Sequence, residues 1–159
     1  MSKYLKRSGV LAVACTAAVT MATAPAHASD DWTRIPDRTG LPYHQATGWM
    51  GYPAPDTGEA NGWGRVDWNG TTVEVHAGAK QLQGSEHTCA VTQIKYQVKI
   101  NGSWSWHYRS PAVDCKPDES QVISPYYRSN YPTKDLTFRV CVGSPDGSVN
   151  EAQCARWSW

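Results

Sequence analysis

Three aromatic side chains at every second position are the feature of this sequence with the clearest functional meaning. Trp104, Trp106 and Tyr108 are spaced by two residues. That spacing is the side-chain repeat of a β-strand, so we expect the three rings to line one face of a strand. Exposed Trp and Tyr rings stack on sugar rings and anchor protein interfaces. The row therefore predicts a binding site for a glycan or for another protein.

The turn that precedes this row decides whether the rings are exposed. The strand predicted before it, Thr88–Ile100, alternates between polar and apolar residues. A two-residue turn at Asn101-Gly102 places the rings on the polar face, whereas a three-residue loop over 101–103 places them in the core. Asn-Gly favours the first arrangement and burial of two Trp rings favours the second, so both stay open. The candidate binding residues are Trp104, Trp106, Tyr108, Lys95, Gln97 and Lys99.

Acid–base chemistry has only scattered candidates. Glu74 and His76 are two apart on a predicted strand, with Arg65 opposite Glu74. A carboxylate beside an imidazole can transfer protons, but a surface ion pair beside a loop histidine explains these residues more simply. The remaining candidates are three scattered histidines, His44, His87 and His107. Three carboxylates, Asp114, Asp118 and Glu119, could supply the two acidic groups of a glycosidase.

Sequence motifs that name a reaction are missing. The chain contains no Gly-x-Ser-x-Gly, no His-Glu-x-x-His, no phosphate-binding glycine loop and no EF-hand loop. We therefore assign no catalytic residue, no metal ligand and no cofactor. The sequence favours a binding protein over an enzyme and leaves a small hydrolase or a hydrolase inhibitor as the alternative.

Short alternating segments predict an all-β fold. A hairpin turn at Asn69-Gly70 pairs Val66 with Val73 and Arg65 with Glu74, which places Val66, Trp68, Val73 and Val75 on one face. Further strands are predicted at Gln121–Ser124, Leu136–Val142 and Ala152–Trp159, and an aromatic loop at Pro125–Pro132. No segment after the N-terminal region has a helical period. We expect a single small antiparallel β-sandwich or barrel-like domain.

Four cysteines remain after the N-terminal region, which contains Cys15. We expect two disulfides, Cys89–Cys115 and Cys141–Cys154, because neighbours in sequence close hairpin-like loops most easily. Four cysteines allow three connectivities, so the pairing is an inference from spacing. A zinc site is disfavoured because there is no Cys-x-x-Cys pair.

The N-terminal region has the organisation of an export signal. Lys3, Lys6 and Arg7 form a basic start, and an uncharged stretch from Val10 to Met21 follows. Ala26-His27-Ala28 fits the small-x-small cleavage rule. The apolar stretch is shorter than the roughly 20 residues of a membrane span. We therefore expect residues 1–28 to be removed and the mature protein to be secreted.

Charge excludes two classes of partner. Lys and Arg number 15 against 14 Asp and Glu, and three of the basic residues lie in the predicted signal. A nearly neutral mature chain has no broad attraction to nucleic acid or to an anionic membrane. The expected partner is another secreted protein or a glycan.

Residues 29–62 form a separate segment that is rich in Pro, Gly and aromatic residues. It carries Trp32, Tyr43, Trp49 and Tyr52, so we expect an extended arm that packs on its own domain or on a partner. Residues 63–159 form the disulfide-bonded β domain. Because the mature chain has few aliphatic residues and contains all eight Trp, we expect aromatic side chains to replace aliphatic ones in the core.

In organisation the chain resembles the small adaptor subunits of secreted umbrella toxin particles. The resemblance consists of the signal peptide, the Pro-broken aromatic arm and the four-cysteine β domain. In those assemblies an extended segment of the adaptor helps link a lectin subunit to a hub. The resemblance implies an adaptor role in a multi-protein toxin assembly, with the arm as the docking element, as an alternative to the binding role.

Overall fold

The computed structural model describes residues 31–52, 59–83, 87–118 and 120–159. The predicted signal peptide and its cleavage site lie outside these residues. The described chain contains β-strands and no α-helix. The strands are β1 (Trp32–Ile35), β2 (Tyr43–Ala46), β3 (Met50–Tyr52), β4 (Glu59–Asn69), β5 (Thr72–Gln83), β6 (Cys89–Ile100), β7 (Ser103–Asp114), β8 (Val122–Ile123), β9 (Tyr126–Ser129), β10 (Thr133–Gly143) and β11 (Val149–Cys154).

Two antiparallel sheets enclose the core. The large sheet has the order β1-β9-β5-β4-β2, with β3 also paired to β4 and β8 to β5, and it curls into a half-barrel. The small sheet has the order β11-β10-β6-β7. The predicted all-β class is confirmed.

The core fits together because the large sheet contributes small residues and the small sheet contributes bulky ones. Gly64 on β4 has no room for a side chain, since a Cβ there would lie 2.1 Å from a ring carbon of Phe138. A Cβ on Gly62 would lie 2.7 Å from Val140. Phe138 and Val140 are fully buried in the space that these glycines leave. The strands of the two sheets can therefore approach closely.

The expectation that Trp rings fill the core is wrong for most of them. Of the eight Trp in the chain, only Trp32 is buried, at 5% exposure, with its ring edge-on to Tyr96 at 5.1 Å. The physical reason is the close approach of the two sheets at Gly62 and Gly64, because a thin interior has no space for large indoles on both sides.

The first hairpin has the predicted faces but a different pairing. Val66 pairs with Val75 and Asp67 with Glu74, a shift of two residues from the expected register. The two turn residues are Gly70, with a φ of 58°, and Thr71. Glycine at the first central position is the preference of a type II′ turn. Because a strand repeats every two residues, the shift leaves each side chain on its predicted face.

Two other segments differ from expectation. The predicted aromatic loop contains β9, which pairs with both β1 and β5. The predicted last strand, Ala152–Trp159, is displaced, because β11 ends at Cys154 and the chain beyond it makes only one bridge, Phe138 with Ser158. In β9 the adjacent Tyr126 and Tyr127 give no alternation in the sequence, whereas the alternating Trp157 and Trp159 lie beyond the end of β11.

The described part of the predicted arm lies within the large sheet. Strand β1 pairs with β9, and β2 and β3 both pair with β4. Strand β4 itself begins at Glu59, and residues 53–58 lie outside the described chain. The segment from Trp32 to Tyr52 therefore packs on its own domain.

Both predicted disulfides are present. Cys89–Cys115 closes the open end of the β6–β7 hairpin, next to the pair formed by Ala90 and Asp114. Cys141–Cys154 joins directly opposite residues of β10 and β11. Each bond fixes a strand of the small sheet whose outer face carries the predicted binding residues.

Candidate functional site

The turn between β6 and β7 has two residues, which exposes the aromatic row. Asn101 and Gly102 have φ angles of 51° and 84°, the positive values that a type I′ turn requires at both central positions. Lys99 consequently pairs with Trp104, Gln97 with Trp106 and Lys95 with Tyr108. The alternative with the rings in the core is excluded by this register. Exposures are 38% for Trp104, 46% for Trp106 and 43% for Tyr108.

Cationic side chains lie over the exposed rings. The Lys95 ammonium is 4.5 Å from the Trp106 ring centre and 5.8 Å from that of Tyr108. Lys134 and Lys99 lie 4.6 Å and 5.9 Å from the Trp104 ring centre. Each such contact at an exposed site contributes about 0.5–1 kcal/mol. The rings and ammonium groups thus form one continuous surface, here called the aromatic–cation face, made of Trp104, Trp106, Tyr108, Lys95, Lys99 and Lys134.

The C-terminal segment extends this face. The ring centres of Trp157 and Tyr108 are 6.1 Å apart, and the Arg139 guanidinium lies 4.1 Å from the Trp157 ring centre. Arg139 is buried, donates two hydrogen bonds to Gln93 Oε1 and pairs with both carboxylate oxygens of Glu151. The hydrogen bonds from Arg139 hold the pKa of the Glu151 carboxyl below its ordinary value. Arg139 is therefore neutralised, and it orients Trp157.

A groove of about 560 Å³ runs beside the row. Trp106 and Tyr108 form one wall, Gln93 lies in the lining, and Val149 and Glu151 of β11 line the other side. This volume is in the range of small-ligand sites, roughly 300–1,000 Å³. An aromatic wall next to an amide and a carboxylate suits a ligand with both apolar and polar edges.

Positive charge is only partly compensated at the centre of the aromatic–cation face, where Lys95 adds to Arg139 in lowering the pKa of the Glu151 carboxyl. Among the described residues, no carboxylate lies within ion-pair distance of Lys95 or Lys99. Lys134 is 3.6 Å from Asp135, but both side chains are about half exposed, so this pair is weak. The face therefore attracts negative charge.

The residues predicted for acid–base chemistry on the first hairpin are held in separate contacts. Glu74 is buried and pairs with Arg128, not with Arg65, while Arg65 binds Asp67 at 2.9 Å. The predicted Glu74–Arg65 pair is wrong because the register shift places Asp67 opposite Glu74. Burial would raise the pKa of Glu74, but hydrogen bonds from Thr39 and Arg128 outweigh it and the pKa is lowered.

His76 lies apart from that ion pair. It is half-buried between Tyr126, stacked at 4.1 Å, and Trp63, edge-on at 5.2 Å. Burial lowers the pKa of His76. Its Nδ1 atom has no hydrogen-bond partner within the described chain. The contacts with Tyr126 and Trp63 indicate that His76 is a packing residue of an aromatic cluster.

A cluster that the sequence did not predict surrounds His107. His107 Nδ1 lies 2.5 Å from Asp31 Oδ2, and His107 Nε2 lies 3.0 Å from Ser105 Oγ. Tyr96 donates its hydroxyl hydrogen to the same Asp31 oxygen at 2.9 Å, and burial raises the pKa of Tyr96. Serine, imidazole and carboxylate stand in the order used by serine hydrolases. Ser105 and His107 have the strand spacing of two, but Asp31 is distant in sequence, so no local motif signals the cluster.

Asp114 and Asp118 are held in separate local contacts. Asp114 is buried and accepts hydrogen bonds from the N–H groups of Gln81 and Lys116. Asp118 accepts from Ser120, and hydrogen bonds from Ser120 lower the pKa of that carboxyl. Glu119 lies outside the described residues. Asp114 and Asp118 thus serve as local turn and strand contacts.

Two features are not found in the part of the chain that the structure describes. It holds no group of three or more His, Cys, Asp or Glu side chains arranged for a metal ion. It also holds no helix with the length and apolar character needed to cross a membrane.

Comparison with known proteins identifies no relative. No family model, no curated protein and no solved structure matches this chain. The functional assignment must come from the residues and their geometry.

Proposed function

We propose that the chain is an exported binding protein that engages another extracellular protein or a glycan through its aromatic–cation face. The observation that carries the proposal is the Asn101-Gly102 turn, whose register puts all three rings of the row on the solvent side. Rings in this position can stack on a sugar or anchor a protein interface. The groove beside Trp106 and Tyr108 offers the ligand a second contact area.

The charge of the face narrows the partner. Lys95 and Lys99 lie among the rings without a carboxylate within ion-pair distance in the described chain. Opposite charge speeds association and selects against partners of like charge. We therefore expect a ligand that carries negative charge, either an acidic glycan or an acidic protein surface.

Export is supported by the two disulfides. Cys89–Cys115 and Cys141–Cys154 are bonds that persist in an oxidising compartment. An extracellular location agrees with the signal predicted for residues 1–28.

The direct test compares two variants of the mature protein. The first variant combines Trp104→Ala with Trp106→Ala and removes two exposed rings of the row. The control, Trp49→Ala, removes a ring that is 55% exposed and lies in the connection between β2 and β3. Each protein is applied to a glycan array and used in a pull-down from the culture supernatant of its host. Thermal unfolding checks that both variants are folded.

The two variants should differ sharply. Ligands retained by the wild type and by Trp49→Ala but lost by the double variant support the proposal. If the folded double variant keeps every ligand of the wild type, the aromatic row is not the binding site.

A second candidate function is ester or amide hydrolysis, favoured by the Ser105–His107–Asp31 cluster. With the Nδ1 proton held by Asp31, His107 Nε2 can accept the proton of Ser105 Oγ as that oxygen attacks a carbonyl carbon. The departing group then takes the proton from His107, and water releases the acyl group from Ser105.

A fluorophosphonate probe tests this second candidate. It should add covalently to the wild-type protein at Ser105, detected by intact mass and peptide mapping, and should not add to Ser105→Ala. Asp31→Asn should slow labelling, because the carboxylate no longer holds the imidazole in the required tautomer. An unlabelled wild-type protein would eliminate this function.

An adaptor role in a secreted toxin assembly stays a prediction that rests on organisation alone. The described part of the arm is paired within the large sheet, so an adaptor would have to dock through a different surface or through an exposed side of these strands.

A further inference from the structure

Strand β7 has an open edge. It is the last strand of the small sheet, and within the described chain it pairs only with β6. It is 12 residues long, about twice the length of an average strand. Proteins usually shorten or cover such an edge, because unpaired N–H and C=O groups recruit other strands.

The edge is interrupted in its second half. The pairing of β6 with β7 shifts register between Thr92 and Ile94, where Ser110 and Pro111 lie on β7. Pro111 has no N–H to offer, and the side-chain Oγ of Ser110 donates a hydrogen bond to the carbonyl oxygen of Gly147 at 2.8 Å. The regular part of the open edge is therefore Ser103–Arg109.

The backbone groups that point to the open side belong to the aromatic row. In an antiparallel pair, residues alternate between exchanging hydrogen bonds and facing away. The Lys99 N–H donates to the Pro132 carbonyl at 2.9 Å, on the side of β6 away from β7. Trp104, opposite Lys99, faces away from β6 in the same manner. By alternation, the N–H and C=O groups of Trp104, Trp106 and Tyr108 all point to the open edge.

Charge lies close to that edge. The ammonium groups of Lys95 and Lys134 are positioned over the Trp rings of β7. Directly opposite residues on an added strand would be separated from the row by about 4.5–5.5 Å between Cβ atoms. Acidic side chains at those positions would meet the ammonium groups.

We propose that β7 binds an extended segment of another protein, which adds to Ser103–Arg109 as an antiparallel strand and carries acidic residues at alternate positions. The proposal rests on the function proposed above, because the segment uses the same aromatic row. The N–H and C=O groups of its acidic residues pair with those of Trp104, Trp106 and Tyr108. Its other residues face Ser105 and His107 and are small and polar. A glycan could use the rings but not this row of backbone groups, so a peptide segment fits the edge better.

The test uses three blocked heptapeptides of alternating Glu and Thr, titrated into the full mature protein by calorimetry. One is unmodified, one is N-methylated at each Glu and one is N-methylated at each Thr. Opposite the row, Glu residues use their N–H groups for pairing and Thr residues direct theirs to solvent. We expect methylation at Glu to weaken binding by at least about tenfold and methylation at Thr to have little effect. A Lys–Thr heptapeptide should not bind.

Hydrogen exchange gives an independent readout. On binding, the amides of Trp104, Trp106 and Tyr108 should become protected, while those of Ser105 and His107, already bonded to β6, should not change. Equal binding of the two methylated peptides would overturn strand pairing and leave side-chain recognition by the row intact. Binding of an oligogalacturonate but of no peptide would also overturn it and would support the proposed function with a glycan ligand. Failure of all these probes would overturn the strand-pairing inference, while the Trp104 and Trp106 variants test the proposed function separately.

Discussion

His76 and Glu74 on the outer face of the large sheet make stability depend on pH in two ranges. Both groups have a folded-state pKa below the ordinary value, which is 6.5 for His76 and 4.5 for Glu74. For each, the unfolded chain binds the proton more readily than the folded chain. Each group therefore contributes stability at a pH above its ordinary pKa, and this contribution is lost as the pH falls through the folded-state pKa.

We predict that His76→Phe removes the earlier of these two losses. The ring of Phe keeps the stacking on Tyr126 but cannot be protonated, so the fall in unfolding free energy that begins near pH 6.5 should disappear. The fall that begins near pH 4.5 should remain, because Glu74 is unchanged. Urea denaturation from pH 8 to pH 3.5 measures both, and His44→Phe, at an exposed histidine of β2, is the control. An unchanged profile in His76→Phe would contradict the assignment.

At the scale of the elements, the turn between β6 and β7 determines which face the aromatic row occupies. We predict that Gly102→Ala destabilises the protein by about 1 kcal/mol, since a residue with a Cβ is strained in the left-handed region. Gly102 has a φ of 84°, and no atom lies within 4 Å of an added Cβ, so the effect isolates the backbone angle. Gly48→Ala, with equally open space and no positive φ, is the matched control. Equal urea midpoints for the two variants would show that Gly102 is not strained by a side chain.

The register at this turn could be predicted from the sequence only in part. Alternation along Thr88–Ile100 and the Asn101-Gly102 pair predicted the two strands and two possible registers, of which the two-residue turn is the one observed. The choice between the registers, and with it the face of the aromatic row, stayed open because two effects of similar size oppose each other, the Asn-Gly turn preference and the burial of Trp104 and Trp106. In the structure the two-residue turn prevails, and the inward side of β7 is taken by residues such as His107, which meets Asp31.

Parts of the site could not be predicted because they depend on contacts that are distant in sequence. Asp31 meets His107 across 76 positions, and no local spacing records this contact. Trp157 joins the row because the Cys141–Cys154 bond and the backbone hydrogen bonds of Ala155 and Ser158 to β10 fix the C-terminal segment. Arg139 was detectable in principle, as a charged residue between the apolar Phe138 and Val140 on a strand.

At the scale of the whole molecule, the two disulfides stabilise different parts of the small sheet. Each closes a loop, with sequence separations of 26 and 13 residues, and loops of this size stabilise by about 3 kcal/mol. We predict that replacing Cys141 and Cys154 by Ser lowers the unfolding free energy by roughly this amount and also weakens ligand binding. The reason is that Trp157, which follows Cys154, lies against Tyr108 and Lys95.

The matched variant replaces Cys89 and Cys115 by Ser. It should lose similar stability but keep its affinity for the ligand at temperatures where it is folded, because this bond closes the end of β6–β7 far from the turn. Chemical denaturation and calorimetric titration of both variants measure the two effects. Equal loss of affinity in both would show that the disulfides act only through overall stability.

The N-terminal segment can be either a strand that the fold requires or an arm that only docks to a partner, and Trp32 distinguishes the two. Trp32 is buried against Tyr96, and its strand covers the edge of β9. Trp32→Ala removes a large core side chain, so we expect a loss of about 3–5 kcal/mol of unfolding free energy. Ile35→Ala, at a half-buried position of the same strand, should cost less. An arm that only docks to a partner would instead tolerate Trp32→Ala in the isolated protein and lose co-purification with other exported proteins. Thermal unfolding of the purified variants, followed by pull-down of the folded ones, separates a structural strand of this domain from a docking arm.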